Sequence, residues 1–466
     1  MNFGCEDTMN AALRRTIAIT SLGFVMVQLD ATIVNVAMAK IGISLNVSIY
    51  GLQWMVDAYT ISVAAMLISA GAIGDRFGAR KTFVLGMIVF SLASLACGLA
   101  KTGAALVAFR VIQGIGAAMI LPCSLSLLNF ACAKNGKNKS QAIGLWNAAG
   151  GLAIIAGPVL GGICVETIGW RSIFLINVPI GAAVVYLTKH HIQESKLISN
   201  KSLDLFGQFT VISTLLVLTG GIIEIGSVGW TIYRSFGLVF ASSIMVLIFM
   251  VIEARTKNPM LPLYLFKNRT FCTSAFAGFI NNTVYYGIIF VASIYFQRAL
   301  MYSPLQAGLA FIPLTGTGVI SNLIGSRMAA TRGPRAPMAI GFFLASVGCL
   351  FLTGINETTC YAHLIGGLAM IPLGLGLAIP PMTYALLSTV PQERAGIASG
   401  VFSTLRQVGG AIGVAIFGSL VAGDAQQIVD GIHTIFFSCA ILLVAGGIVS
   451  WIGIQRPAVF KELRES

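Results

Sequence analysis

The chain is a succession of uninterrupted apolar runs of roughly 18–25 residues, the length an α-helix needs to cross a bilayer. They fall at about 14–39, 50–72, 82–100, 104–129, 142–164 and 172–188, then 204–226 and 232–253, then 271–297, 305–327, 337–354, 361–389, 397–421 and 433–455. A transmembrane barrel would instead alternate apolar and polar residues over stretches of about ten. In lipid each span must satisfy its own backbone, so long apolar runs select helices. Only 10% of the 466 residues are charged and 56% are hydrophobic. A soluble chain keeps roughly a quarter charged to solvate its surface. The expectation is therefore an all-α integral membrane protein with fourteen transmembrane helices.

Charge placement tests that count. If both termini are cytoplasmic, the inner loops and tails collect 22 of the 29 basic residues, among them Arg14, Arg15, Arg76, Arg80, Lys81, Arg327, Arg332 and Arg335. The outer loops receive five: Lys40, Lys101, Arg171, Arg234 and Arg298. Arg110 and Arg406 stay within spans. This is the positive-inside pattern, and losing one central helix would invert every later loop. The net charge of +13 lies in these short clusters without interleaved aromatics, so no nucleic-acid partner is expected. Arg14 and Arg15 before an apolar run imitate a signal peptide, but the run is too long and carries Asp30. It reads as an uncleaved first span.

Several activities are disfavoured. The nine cysteines are odd in number, form no C-x-x-C and lie mostly inside spans, where they serve as small hydrophobes. The histidines sit in loops or at span ends, so no enzyme and no metal site is expected. No phosphate-binding loop occurs. Any energy the chain uses must then come from an ion or solute gradient rather than from a nucleotide, and no cofactor is expected.

Four motifs stand out. The loop after span 2 reads Gly71-Ala-Ile-Gly74-Asp75-Arg76-Phe-Gly78-Ala-Arg80-Lys81. Its glycines allow a tight turn, and Asp75 can accept bonds from a helix N-terminus or an arginine. The basic residues alone would fit any inward-facing turn. The loop after span 10 repeats the pattern weakly, with Gly333 and Gly341 spaced like Gly78 and Gly86. Span 4 carries Arg110-Val-Ile-Gln113-Gly114-Ile-Gly116, where a buried arginine needs an acid or carbonyl unless it snorkels outward. Span 5 places Ala149, Ala153, Gly157 and Gly161 at every fourth position, with Pro158 and Gly162 adjoining, which lets another helix approach closely.

These motifs, with Leu29-Asp30-Ala-Thr32-Ile-Val-Asn35-Val-Ala37, Gln53-Trp54-Met-Val-Asp57-Ala-Tyr59, Trp170-Arg171-Ser-Ile-Phe174-Leu-Ile-Asn177-Val-Pro179-Ile-Gly181 and Arg406-Gln407-Val-Gly409-Gly410, resemble the major facilitator superfamily. The resemblance is to its fourteen-spanner drug:proton antiporter branch, and within it to methylenomycin-resistance-type exporters. Met38-Ala39 replaces the usual Leu-Pro, and alanines replace early glycines of the span-5 motif. The resemblance implies two six-helix bundles around a central cavity: residues 1–203, and residues 254–466, with residues 204–253 an inserted helix pair. It also implies efflux of antibiotics or other small amphipathic drugs in exchange for protons by a monomer of the bacterial plasma membrane. Uptake or uniport of a metabolite by the same fold is the alternative.

Asp30, Asp57 and Arg110 lie at similar depth, roughly 9–13 Å from the outer surface at 1.5 Å per residue. Burial favours a protonated carboxyl and a nearby arginine an ionised one, so such a group can switch protonation when a helix moves. The expectation is that Asp30 and Asp57 exchange a proton against substrate, with Arg110 tuning or relaying it. The plainer alternatives put Asp57 near the headgroups, or Asp30 in bonds within its own bundle. Gly71, Asp75, Arg76, Gly78 and Arg80 are the expected conformational switch, and Gly157, Pro158, Gly161 and Gly162 the antiporter motif. Substrate-cavity candidates are Asn281, Asn282, Tyr285, Tyr286, Asn322, Tyr384, Arg406 and Gln407, each of which could equally be a packed polar residue. No acid lies deep in the second half, which leans against divalent organic cations.

Overall fold

Fourteen apolar helices organise the described residues: α1 Ala11–Leu45, α2 Ile49–Phe77, α3 Ala79–Gly98, α4 Gly103–Cys132, α5 Ala142–Thr167, α6 Ser172–His191, α7 Phe206–Val228, α8 Ile232–Arg255, α9 Arg269–Ala299, α10 Pro304–Arg332, α11 Arg335–Phe351, α12 Tyr361–Leu387, α13 Ile397–Leu420 and α14 Gln426–Gly453. This computed structural model describes residues 11–133, 139–194, 204–229, 231–256, 259, 261, 263–356, 359–390, 395–422 and 425–455. Thirteen of these helices are long and apolar enough to cross a membrane, and α11 is a shorter apolar helix of 17 residues. The protein is a multi-pass integral membrane protein. Several helices outrun the apolar blocks that announce them. α2 and α10 continue through Arg76 and Arg332, whose charges complement the negative helix C-terminus. Each then stops at a glycine with positive φ, Gly78 at 103° and Gly333 at 79°, a backbone state that favours glycine.

Those two glycines hold matching places in two similar six-helix bundles, α1–α6 and α9–α14. In the first, α3 meets α4 where a Cβ on Gly86 would lie 3.0 Å from the Gly116 carbonyl oxygen. In the second, α11 meets α12 where a Cβ on Gly341 would lie 2.5 Å from the Gly374 carbonyl oxygen. Likewise α5 packs on α1 through Gly157 and Gly161, and α13 packs on α9 through Gly409 and Gly413. Small residues let helix backbones touch where the hydrophobic effect gives no drive for association.

Two spans that read as continuous runs are interrupted. α6 breaks at Ile176 and α10 at Phe311, each shortly before a proline, Pro179 and Pro313. Proline lacks the N–H and its ring collides with the carbonyl four residues back. α7 contains a π turn at Leu216–Gly220.

The pair α7–α8 lies against the seam between α2 and α13. The Tyr50 hydroxyl donates to the Gly226 carbonyl at 2.7 Å, and Gln208 Nε2 donates to the Ala65 carbonyl at 2.8 Å. Ile222 and Ile223 cluster with Ala415 of α13. Outside α7, α8 exposes Tyr233, Phe236, Phe240 and Leu247, as a lipid-facing helix does. Asp204 caps α7 by accepting from the Gly207 N–H at 2.8 Å.

Candidate functional site

Asp30 of α1 is fully buried at the centre of the first bundle. Arg110 of α4 reaches it, with Nη1 to Oδ2 at 2.5 Å and both side chains at most 1% exposed. The other carboxylate oxygen accepts from Gln113 Nε2 at 2.8 Å and from Asn177 Nδ2 at 3.1 Å. Both amides also donate to Ser94 Oγ, at 3.1 and 2.9 Å, and Ser94 donates to the Phe174 carbonyl at 2.9 Å. Arg110 donates further to Gln113 Oε1 at 2.7 Å and lies 4.2 Å from the Tyr59 ring centroid. Five helices thus contribute to one cluster. The desolvation of a buried ion is worth several kcal/mol, and good geometry with extra hydrogen bonds is what offsets it. Gln113 and Asn177 sit in motifs legible in the sequence, but their convergence on Asp30 is not, and Ser94 carries no local signal.

Asp57 does not join this cluster. It is fully buried, yet neither carboxylate oxygen has a hydrogen-bond partner. Helical register puts it on the α2 face bearing Gln53 and Ile61. Gln53 donates to the Val414 and Ala415 carbonyls of α13 at 3.1 and 2.8 Å, and Ile61 clusters with Ala411 of α13 and Leu215 of α7. Of the three charged groups that the sequence places at similar depth, the structure brings Arg110 to Asp30 and leaves Asp57 apart. Depth fixes one coordinate of a side chain, and the helix rotation turns Asp57 toward the α2–α13 seam.

Between the bundles lies a narrow, partly open cleft. Arg110 opens onto it, with Tyr59, Gln28 and Asn35 on the first bundle's side and Tyr286 and Gln407 on the second's. Of the expected cavity residues, Tyr286 and Gln407 line it. Arg406 and Asn282 stand beside it, joined by an Arg406 Nε to Asn282 Oδ1 bond of 3.1 Å. Tyr285 meets Tyr286 edge-on with centroids 5.5 Å apart. Asn281 is turned away, donating to the Leu375 carbonyl at 3.1 Å, and neither Asn322 nor Tyr384 lines the cleft. Asn281 therefore belongs to the bundle's own packing. Gln28 escaped sequence reasoning and Asn35 was read only as part of the span-1 motif, although their seven-residue separation places them on one face of α1.

Hydrogen bonds between the bundles gather at the end opposite the Arg76–Arg80 loop. Glu166, at the end of α5, accepts from Ser303 Oγ at 2.9 Å and from the Leu305 N–H at 3.0 Å at the start of α10. Ser293 of α9 donates to the Asn35 carbonyl of α1. The antiporter-type stripe faces two ways. A Cβ on Gly161 would lie 2.9 Å from the Ile33 carbonyl oxygen, whereas one on Gly162 would lie 2.7 Å from the Pro304 carbonyl oxygen across the bundle interface. The Pro158 carbonyl meanwhile abuts Gly308. That end of the cleft is shut.

At the basic end, Gly78 sits over a residue that sequence reasoning missed. Glu194 Oε1 accepts from the Arg80 N–H at 2.9 Å, at the N-terminus of α3, and Arg80 Nη2 donates to the Lys189 carbonyl at 2.6 Å. A Cβ at Gly78 would collide with the Glu194 carboxylate. Gly74 is held close to Cys123 of α4, Gly71 faces Pro122, and Asp75 and Arg76 are exposed.

Residues 20–414 match the Major Facilitator Superfamily. The chain belongs to that superfamily. Its members are secondary transporters rather than enzymes, and they work without a bound cofactor. Relatives include the multidrug resistance protein Stp of Mycobacterium tuberculosis, 35% identical over 422 residues, covering 89% of this chain and 77% of Stp. The methylenomycin A resistance protein of Streptomyces coelicolor is 33% identical over 446 residues, covering 95% of this chain and 93% of that one. This superfamily member is thus related to drug-resistance proteins over most of its length. Among solved structures, a POT family transporter in complex with 5-aminolevulinic acid shares the fold at a TM-score of 0.71 with 12% identity, covering 94% of this chain and 96% of that one. An inward-facing bacterial Spinster homologue does so at 0.65 with 16% identity, covering 97% and 98%.

Proposed function

We propose that the protein exports antibiotics or similar small amphipathic drugs from the bacterial cytoplasm in exchange for protons. The observation that carries this reading is the fully buried Asp30–Arg110 pair, whose arginine also opens onto the central cleft. Protonating Asp30 would remove the charge that holds the guanidinium, freeing Arg110 to move toward the cleft. Drug arriving there, or helices rearranging around it, would in turn change how well the pair is held. Proton and drug then compete through one side chain, which is what exchange requires. Asp57 adds a second proton-carrying group at the α2–α13 seam. An ionised carboxylate without donors is costly in such a setting, so uptake and release of a proton at Asp57 would follow the closing and opening of the seam.

Both termini and the Arg76–Arg80 loop face the cytoplasm in this scheme, in keeping with the positive-inside pattern. The shut end then faces outward, and the cleft is poised to load from inside. Residues 1–203 and 254–466 act as the two rocking units, with 204–253 as an accessory pair. The names of the drug-resistance relatives support the direction of transport. Inverted membrane vesicles with an imposed pH gradient test the proposal. Drug accumulation that collapses on adding an uncoupler is expected; accumulation indifferent to the gradient would indicate uniport and overturn the coupling.

A further inference from the structure

Arg406 is the one described cation in the middle of a membrane-spanning helix that has no acid beside it. It lies in the middle of α13, one helical turn from Gly410, which lines the cleft. The Arg110–Asp30 contact is the only salt bridge among the described residues. Arg406 spends Nε on Asn282 Oδ1 and places its guanidinium 5.7 Å from the Phe402 ring centroid, while Nη1 and Nη2 donate to no described residue. Its stem crosses α9 at Gly278, where a Cβ would come within 3.1 Å of Arg406 Cγ. The side chain is only partly buried, and Tyr286, which lines the cleft, stands within electrostatic reach of it.

A guanidinium held by one nitrogen with its outer fork free is suited to a planar group with two oxygens. A charge so deep needs a partner, and the protein supplies none among the described residues. We infer that the partner is the substrate: the cleft takes amphipathic drugs bearing a carboxylate, gripped by the Arg406 fork. Asn282 fixes the angle of the fork. The Tyr286 hydroxyl offers a further donor, and the apolar body of the drug rests on Val27, Val56, Val63 and Val414. Arg110 is neutralised by Asp30, so the cleft carries an unbalanced positive charge and disfavours cations. This inference rests on the drug-export reading and adds the substrate class to it.

The test uses the full chain in proteoliposomes with an imposed pH gradient. Three probes are compared: nalidixate, an aromatic carboxylate; chloramphenicol, neutral; and ethidium, a monocation. Wild type should accumulate nalidixate. In R406Q the ratio of nalidixate to chloramphenicol transport should fall at least tenfold, R406K should fall between, and R406E should lose nalidixate and gain in ethidium relative to chloramphenicol. Nalidixate should also protect purified wild type, and not R406Q, from thermal unfolding. If R406Q does not fold, the R406K arm decides, through a raised KM for nalidixate with kcat little changed. An unchanged ratio in R406Q or R406K overturns the inference, as does wild type that moves chloramphenicol or ethidium but not nalidixate; in both cases drug export stands. Transport of none of the probes by folded wild type counts against drug export itself, and the inference falls with it.

Discussion

Replacing Arg110 by leucine would leave the Asp30 carboxylate at the middle of a bundle with only the two neutral amides of Gln113 and Asn177 as donors. Removing one partner of a buried ion pair costs about 3–5 kcal/mol, because the surviving charge has nowhere to go. R110L also forfeits the bond to the Met55 carbonyl and the contact with the Tyr59 ring. It should therefore fall in the upper part of that range. D30N strands the guanidinium instead, but the amide oxygen still accepts from Gln113 and Asn177, so the lower part is expected. D30N/R110Q removes both charges together. It should cost less than the sum of D30N and R110Q by about 2 kcal/mol or more, a coupling at the strong end for side chains in contact. Reversible unfolding by sodium dodecyl sulfate in mixed micelles, followed by far-ultraviolet circular dichroism, gives all four corners of the cycle. Additivity within about 0.5 kcal/mol would refute the reasoning, since independent sites behave that way.

Other consequences are local. Glu166→Ala removes the acceptor for Ser303 and Leu305 at the shut end, so spin labels across the α5–α10 ends should show a larger fraction of separated distances than wild type. Gly162→Val drives a branched side chain into the Pro304 carbonyl; closure of that end should fail and turnover should drop by more than tenfold, measured as the initial efflux rate. Glu194→Gln keeps the shape of the contact with the Arg80 N–H but loses the anion at the α3 N-terminus, and should cost about 0.3–1 kcal/mol in the same unfolding assay.

The sequence exposes what depends on one dimension. Apolar run length sets the number of helices, and glycines such as Gly78 and Gly333 mark where α2 and α10 stop. Arg110 declares its need for a partner by being charged inside a span, and Asp30 was the acid at the right depth. What the sequence withholds is rotation about each helix axis. Asp57 shares the depth of Asp30 yet faces α13, and Asn281 and Asn282 are neighbours that point to different partners. The small-residue stripe of α5 is legible, but its division between α1 and α10 depends on how the bundles meet. Glu194 and Glu166 lie at helix ends among other polar residues, where a charge ordinarily signals only contact with water. Their roles arise from distant carbonyl and N–H groups that no local pattern announces.

The central claim is that proton movement and drug movement share the Asp30–Arg110 pair. Proton flux driven by a drug gradient tests it most directly. Proteoliposomes preloaded with a transported drug, with no pH gradient imposed, are diluted into drug-free buffer while an internal pH dye is read. The account predicts proton entry as drug leaves in wild type, and drug exit without proton entry, or neither, in D30N. Drug-driven proton entry at the wild-type rate in D30N would contradict it.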